Sequence, residues 1–364
     1  MNPHIEQLSE KDDTLTFTLS GINTSIANAI RRVILSDIPT VVFKTAPYEE
    51  CQCTILENTT RFNNEIIKQR LSSIPIHITD LEIPLNQYVM EVNVENLTDT
   101  IMYVTTEDFK VKNTQTNQYL SEKDTHAIFP ASQQTGYFID FLRLRPKLSE
   151  NSSGEKIHLT CQFSIHTCKE DGMFNVVSTC SYGCTVDETR MQTELGKKRN
   201  EWKEQNMDVD FETKNWMLLD GKRIIKKDSF DFIIQSVGVF DNKEIVIKAC
   251  NILLKMLSNL NDTVESKNIR IHEAENTMQN CFDIIIENED YTIGKIVEFI
   301  LYAKFYQDTK LLSYCGFKKM HPHDKDSIVR IAYYEPVDKS AVLGHLKICI
   351  EEGLRIYKTI KEKL

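Results

Sequence analysis

Residues 28–40 read NAIRRVILSDIPT, an apolar run with two adjacent arginines, Arg31 and Arg32, in its middle and Pro39 near its end. A guanidinium stays charged and presents its donors in a rigid fork, so it must meet water, a carboxylate or carbonyl groups. Neighbouring helix residues point about 100° apart, so at most one of the pair can lie on a buried side. A solvated pair and a contact with a partner both remain open on these residues alone. Cys161, Cys168, Cys180 and Cys184, with His166, could supply metal ligands, but the spacing C-x6-C-x11-C-x3-C lacks the close C-x2-C knuckles of structural zinc sites. Buried reduced thiols are the simpler reading, and no structural zinc or other cofactor is expected. Cys51-Gln-Cys53 reads as part of a strand with both thiols on one face. Redox catalysis there would need a depressed thiolate pKa, and no helix start or basic cluster stands beside it. His321-Pro322-His323 reads as a turn rather than a metal pair. The chain has no G-x-x-x-x-G-K-[ST] loop, no H-E-x-x-H, no G-x-S-x-G and no aspartate cluster suited to two metal ions. It therefore reads as non-catalytic, with a cysteine-based metal-binding regulatory module and a thiol oxidoreductase as rival classes.

The 364 residues suit two or three domains, and a hydrophobic fraction of 41% suffices for packed cores. A net charge of −10 lacks the basic footprint of a free-standing nucleic-acid binder, so no direct specific nucleic-acid binding is expected. No apolar run approaches the roughly 18 residues of a membrane span, and MNPHIEQLSEKDD has no signal-peptide pattern. No membrane role is expected, and the ten cysteines read as reduced thiols of an intracellular protein.

The elements that must position these residues follow from periodicity. Residues 13–20, DTLTFTLS, alternate as a half-buried strand. Gly21 ends it, and Asn23 or Thr24 can cap a helix over 25–36 whose stripe is Ile26, Ile30, Val33 and Ile34. Pro39 stops that helix before a strand at 40–45, and an Asn-capped helix fits 63–71. Residues 81–204 read as a β-rich insert that ends in a polar helix or linker, with a turn at 151–156. A strand at 229–236 leads to a helix over 242–260 with Ile245, Ala249, Ile252 and Met256 on one face and Val246, Leu253, Leu257 and Leu260 beside it, and 261–276 reads as a linker. The pattern then restarts with a strand at 281–287, a Thr-capped helix at 292–305 carrying Ile293 and Ile296, strands at 311–318 and 327–334, and a final helix from 337. Its stripe of Leu343, Leu346, Ile350, Gly353, Tyr357, Ile360 and Leu364 suits either a partner helix or its own sheet; the regular spacing of the last turns favours the helix. Gly353 adds no apolar surface there, and the Tyr357 hydroxyl needs a partner.

Several stretches resemble one family. LSGINTSIANAIRRVILSDIPT at 19–40 looks like the signature helix of the bacterial RNA polymerase α subunit, the archaeal D subunit and the eukaryotic third-largest subunit. ENTTRFNNEIIKQRLSSIPI at 57–76 is similar to the second motif, with Gln69, Ser72 and Ser73 in place of the usual His and Gly-Leu pair. KEDGMFNVVSTCSY at 169–182 resembles the insert-domain motif, although Cys168 and Asp171 stand where Gly and His are usual. FDFIIQSVGVFDNKEIVIKA at 230–249 looks like the return strand and second dimerisation helix. IIIENEDYTIGKIVEFIL at 284–301 and CGFKKMHPH at 315–323 resemble the eleventh eukaryotic subunit and its archaeal L counterpart.

The resemblance implies an α+β fold of two α-subunit-type dimerisation halves, each a small antiparallel sheet with helices, paired through those helices. The first half takes 1–80 and 205–260 around the insert, and 277–364 forms the second. Fusion of the two resembles polymerases of large DNA viruses that replicate in the host cytoplasm, which implies a place in the virion and host cytoplasm; otherwise the nucleus or cytoplasm is implied. The implied function is a scaffold for the two large catalytic subunits, with small assembly subunits docked beside it. Arg32, with Arg31, Glu65 and Arg70, is implied to hold partners, above all the second-largest subunit.

Overall fold

A computed structural model describes residues 1–147, 153–275 and 278–364. Its contacts divide it into two compact units. One comprises Met1–Ile34, Thr179–Gln235 and Asn242–Leu364, and the other Leu35–Ser178 with Ser236–Asp241. The architecture is mixed α and β, built on several small antiparallel sheets.

In the first unit, one sheet runs His4–Lys11, Thr14–Ser20, Ile225–Ser236, Val177–Val186. Leu15, Phe17 and Leu19 are buried as their alternation requires, and Phe17 stacks on the opposite Phe232 at 5.0 Å. Thr18 departs from the alternation; it is buried and donates to Asp231 Oδ1 at 2.7 Å, so its hydroxyl is satisfied. A second sheet runs Arg270–Glu273, Cys281–Ile286, Ser327–Tyr333, Leu312–Lys318. Four helices belong with these sheets: Thr24–Ser36, Asn242–Glu265, Tyr291–Leu301 and Lys339–Glu362. Asn23 caps the first, its Oδ1 accepting from Ser25 N at 2.9 Å. The helix Glu188–Glu204 occupies the stretch read as an exposed helix or linker, with Met191, Leu195 and Trp202 buried, and a second helix that the sequence reading lacked, Val209–Leu218, follows it.

The second unit holds a five-stranded sheet in the order Cys53–Asn58, Lys156–Gln162, Tyr88–Glu95, Lys110–Asn113, Gln118–Tyr119. Phe109 meets Phe129 and Phe141 edge-on at 5.2 and 5.4 Å in its core. The Asn64–Ser72 helix is capped by Asn63, as its sequence predicts, and buries Ile67 and Leu71 in the same core.

Several expectations need correction. The 261–276 linker is not a linker: 261–265 continue the helix and Arg270–Glu273 is an edge strand paired with Cys281–Ile286. Its last residue, 276, lies outside the described residues, as do 151–152 of the predicted turn. The 242–260 helix runs on to Glu265 because its end is set by Lys267 in the left-handed region (φ 58°). Lys267 N donates to Val264 O, and Asn268 N to Thr263 O, a Schellman closure with lysine where glycine is usual. The 292–305 helix starts at Tyr291 on an Asp290 cap, not on Thr292, and gives way at Tyr302 to a π-helical turn, Tyr302–Asp308. Cys51 lies outside the strand, which begins at Cys53. The β-rich unit overlaps the 81–204 reading without coinciding with it, because 35–80 pack into the same core while 179–204 belong to the other unit.

Candidate subunit-pairing interface

The Lys339–Glu362 helix is capped by Asp338, which accepts from Ala341 N at 2.9 Å. It buries Val342, Leu346, Cys349, Ile350, Gly353, Ile356, Tyr357 and Ile360. It lies antiparallel along Asn242–Glu265. Lys347 pairs with Glu265 at 2.7 Å, Gly353 faces Leu257, and Tyr357 lies near Cys250, so one index rises as the other falls.

Gly353 is the closest approach. A Cβ there would sit 3.1 Å from Leu257 Cδ1 and 3.7 Å from both Ile296 Cγ2 and Ile300 Cδ1. Those residues come from two other helices, so the glycine that looked like a flaw in the stripe is where three helices converge. Tyr357 adds the fourth. Fully buried, its hydroxyl donates to the Ile26 carbonyl at 3.4 Å, in the first turn of Thr24–Ser36. Burial pushes its pKa far up, so it remains a neutral donor.

Of the predicted seam, Ile26, Ile30, Val33, Ile245, Ile293, Ile296, Leu346, Ile350 and Tyr357 are buried. Ile252, Met256 and Leu343 are only half-buried. The buried line of Asn242–Glu265 runs through Ile245, Val246, Ala249, Cys250, Leu253, Leu257 and Leu260, which adds Cys250 to the residues named on and beside the predicted face. Along this wide face Leu253 and Leu257 are deeper than Ile252 and Met256, and on the final helix Val342 is deeper than Leu343, each one position away.

The two arginines divide their work. Arg31 turns back along its own helix, with Nε and Nη2 donating to Asn28 Oδ1 at 3.1 and 2.9 Å. Its charge also faces Cys180, whose thiol burial pushes up to about 12. Arg32 leaves its helix: Nη2 meets Asp290 Oδ2 at 2.6 Å and Nε donates to Thr292 Oγ1 at 3.0 Å. Asp290 Oδ1 meanwhile accepts from Thr292 N at 2.8 Å. One carboxylate thus caps a helix with one oxygen and takes a guanidinium with the other. Thr292, read as the cap, is buried and accepts from Arg32. Asp290 was missed; an Asp immediately before an apolar-periodic run is the signal that could have found it.

Glu65 and Arg70 belong to the other unit. Glu65 is exposed in the first turn of its helix. Arg70 donates from Nε to Phe141 O at 2.7 Å and from Nη2 to Asp140 O at 2.9 Å, which ties its helix to the Asp140–Leu144 strand. In the same unit a cleft of about 340 Å³ is lined by Val41, Ile74, Pro75, Val176, Val177 and Val239. Ser72 and Ser73 border it with hydroxyls on Met173 Sδ at 3.2 and 3.3 Å.

Among the described residues, no group of three or more His, Cys, Asp or Glu side chains is placed to hold a metal ion. His321 Nδ1 accepts from His323 N at 3.2 Å, within a turn. Among the described residues no helix is long and apolar enough to cross a membrane.

The chain belongs to the RNA polymerase Rpb3/Rpb11 dimerisation domain family, whose model matches residues 16–257. It is similar to subunit rpac1 of the DNA-directed RNA polymerases I and III of Dictyostelium discoideum, 26% identical over 197 residues, 50% of this chain and 52% of that protein. The Rpo3 subunit of the Pyrococcus horikoshii DNA-directed RNA polymerase is 24% identical over 272 residues, 69% of this chain and 93% of that one. Rpo3 of Pyrococcus furiosus is 35% identical over 72 residues, 20% of this chain and 25% of that one. The chain spans about half the length of the Dictyostelium relative and a quarter of the P. furiosus one. These relatives are all subunits of DNA-directed RNA polymerases.

Proposed function

We propose that this chain is a non-catalytic assembly platform of a multisubunit DNA-directed RNA polymerase, an intramolecular heterodimer whose two pairing modules share one polypeptide. The observation that carries the reading is the antiparallel packing of Lys339–Glu362 on Asn242–Glu265 at Gly353. The family model ends at residue 257, so the final helix is a segment outside that match, and it packs on the helix in which the match ends, with Gly353 facing Leu257. Their resemblance to the eleventh subunit supports reading them as the second partner. Fusion of this kind supports a viral polymerase, carried in the virion and active in host cytoplasm.

The platform presents the exposed Glu65 helix and the Ile74–Val177 cleft to the large catalytic subunits, above all the second-largest, and docks small assembly subunits beside them. It binds no specific nucleic-acid sequence itself, and it carries no structural zinc. Affinity capture of the tagged full chain from its native source tests the reading. Recovery of two very large polymerase chains is expected; a purified chain that brings down neither overturns the assignment. Elemental analysis of the same preparation is expected to give far less than one zinc per chain.

A further inference from the structure

The sheet of the second unit places Cys53 and Cys161 directly opposite each other on neighbouring antiparallel strands. Antiparallel pairs alternate between two kinds, and the backbone says which this is. Gln162 N donates to Gln52 O at 3.2 Å, so the bond joins the residue after Cys161 to the residue before Cys53. That is the signature of a non-hydrogen-bonded pair, in which the Cα atoms stand about 4.5 Å apart and the side chains are closest. Disulfides form at Cα separations of about 4.4–6.8 Å, so neither strand has to move far.

Their surroundings single out these two among the ten cysteines. Cys53 is 6% exposed and Cys161 1%, both in the apolar core beside Ile55 and Leu159. Cys161 Sγ donates to the Gln162 carbonyl at 3.6 Å, and the Cys53 thiol, set against Cys161 and near the Lys68 charge, is held below its ordinary value. Cys161, facing that sulfur and buried, is pushed far up. Cys53 is thus the easier thiolate of the pair and the sulfur that meets an oxidant first, with Cys161 opposite it in the sheet. Cys51, only two residues away, is aimed elsewhere: its Sγ donates to the Cys53 carbonyl at 3.4 Å.

We propose that Cys53 and Cys161 are a redox modification site, closed to a reversible cross-strand disulfide by hydrogen peroxide. The Cys53 thiolate attacks one peroxide oxygen, the O–O bond breaks, and water leaves after protonation, giving a sulfenic acid. The Cys161 sulfur then attacks Cys53 Sγ, the S–O bond breaks and a second water leaves. In sum two thiols lose two protons and two electrons, and one peroxide becomes two waters. A dithiol reductant restores both thiols by exchange. The bond would fasten the edge strand Cys53–Asn58, which leads into the helix bearing Glu65 and Arg70, to its neighbour in the sheet, Lys156–Gln162.

The test treats the native full chain with hydrogen peroxide, blocks remaining thiols with an alkylating reagent, and maps peptides by mass spectrometry. A peptide pair linking Cys53 to Cys161 is expected, two hydrogens lighter than the separate peptides and lost on dithiothreitol treatment. Cys53→Ala and Cys161→Ala should each abolish it, and Cys184→Ala should leave it. Chain unfolded in urea should give mixed pairings instead, which separates sheet geometry from mere reactivity. A Cys51–Cys53 link in native protein overturns the proposal. So do free Cys53 and Cys161 under peroxide that already oxidises the exposed Cys184.

Discussion

Arg32 and Asp290 offer the sharpest test of the pairing geometry, because one guanidinium and one carboxylate join segments more than 250 residues apart in sequence. Arg32→Ala removes the ion pair and the Thr292 bond together. Asp290→Asn is the cleaner partner change, since asparagine caps a helix about as well as aspartate and only the charge is lost. The side chains are 36% and 33% exposed, so solvent screens the pair, and exposed ion pairs contribute about 0.2–1 kcal/mol. The contact at 2.6 Å and the second bond to a buried threonine place this one at the upper end. We expect a coupling of about 1 kcal/mol in a double-mutant cycle read by urea unfolding of the full chain. About half should survive in 1 M salt, because a contact this short lies inside even a ~3 Å screening length. Coupling within the ~0.3–0.5 kcal/mol scatter of independent sites would refute the tie. The same variants separate two roles for Arg32. If Arg32 touches the second-largest subunit directly, Arg32→Glu weakens capture of that subunit while Asp290→Asn does not. If it acts by fixing the helices, both weaken capture, and Arg32→Asp with Asp290→Arg restores it.

Much of this arrangement was legible in the residues. Strand alternation at Leu15, Phe17 and Leu19, the Asn63 cap and the wide apolar faces of the paired helices are local signals, and the structure carries them. What sequence reading missed was non-local or disguised. Lys267 in a left-handed cap gives no glycine signal, so the end of the long helix was invisible. Arg270–Glu273 is a four-residue edge strand of mixed polarity that becomes a strand by pairing with Cys281–Ile286. Gly353 read as a gap because its value lies in what faces it, Leu257, Ile296 and Ile300, and spacing within one helix says nothing of that. The intrachain partner of Arg32 was equally hidden, because its carboxylate comes from residue 290, 258 positions along the chain.

The remaining predictions concern the same helices. Gly353→Leu should cost about 1–3 kcal/mol by overpacking against Leu257, while Gly353→Ala should stay within about 1 kcal/mol, its tight 3.1 Å contact offset by better helix propensity; thermal melts of the two variants check this. Glu352 is held at about 2 by Arg355 first, then by the Met1 amine and Lys304. Because this pKa lies below its ordinary value, the stabilisation is complete above the carboxylate range near 4.5 and is lost as pH falls toward 2. Wild type should exceed Glu352→Gln by about 1 kcal/mol at pH 7 after solvent screening, and the two should converge at pH 2 in urea titrations. The last prediction tests the heterodimer itself. Cutting the chain after Lys267 leaves Arg270–Glu273 with its own sheet and Asn242–Glu265 with the first fragment, so each fragment keeps its elements whole. The co-expressed fragments should remain a complex at micromolar concentration, because the buried faces and not the tether supply the affinity. Leu346 and Ile350 are both 0% exposed, so replacing them by aspartate would bury two charges without partners and should separate the fragments. In the intact chain the same change should expose apolar surface and cause self-association, visible by light scattering. Wild-type fragments that purify apart as stable, soluble monomers would refute the intramolecular heterodimer, since faces this apolar cannot remain uncovered in water.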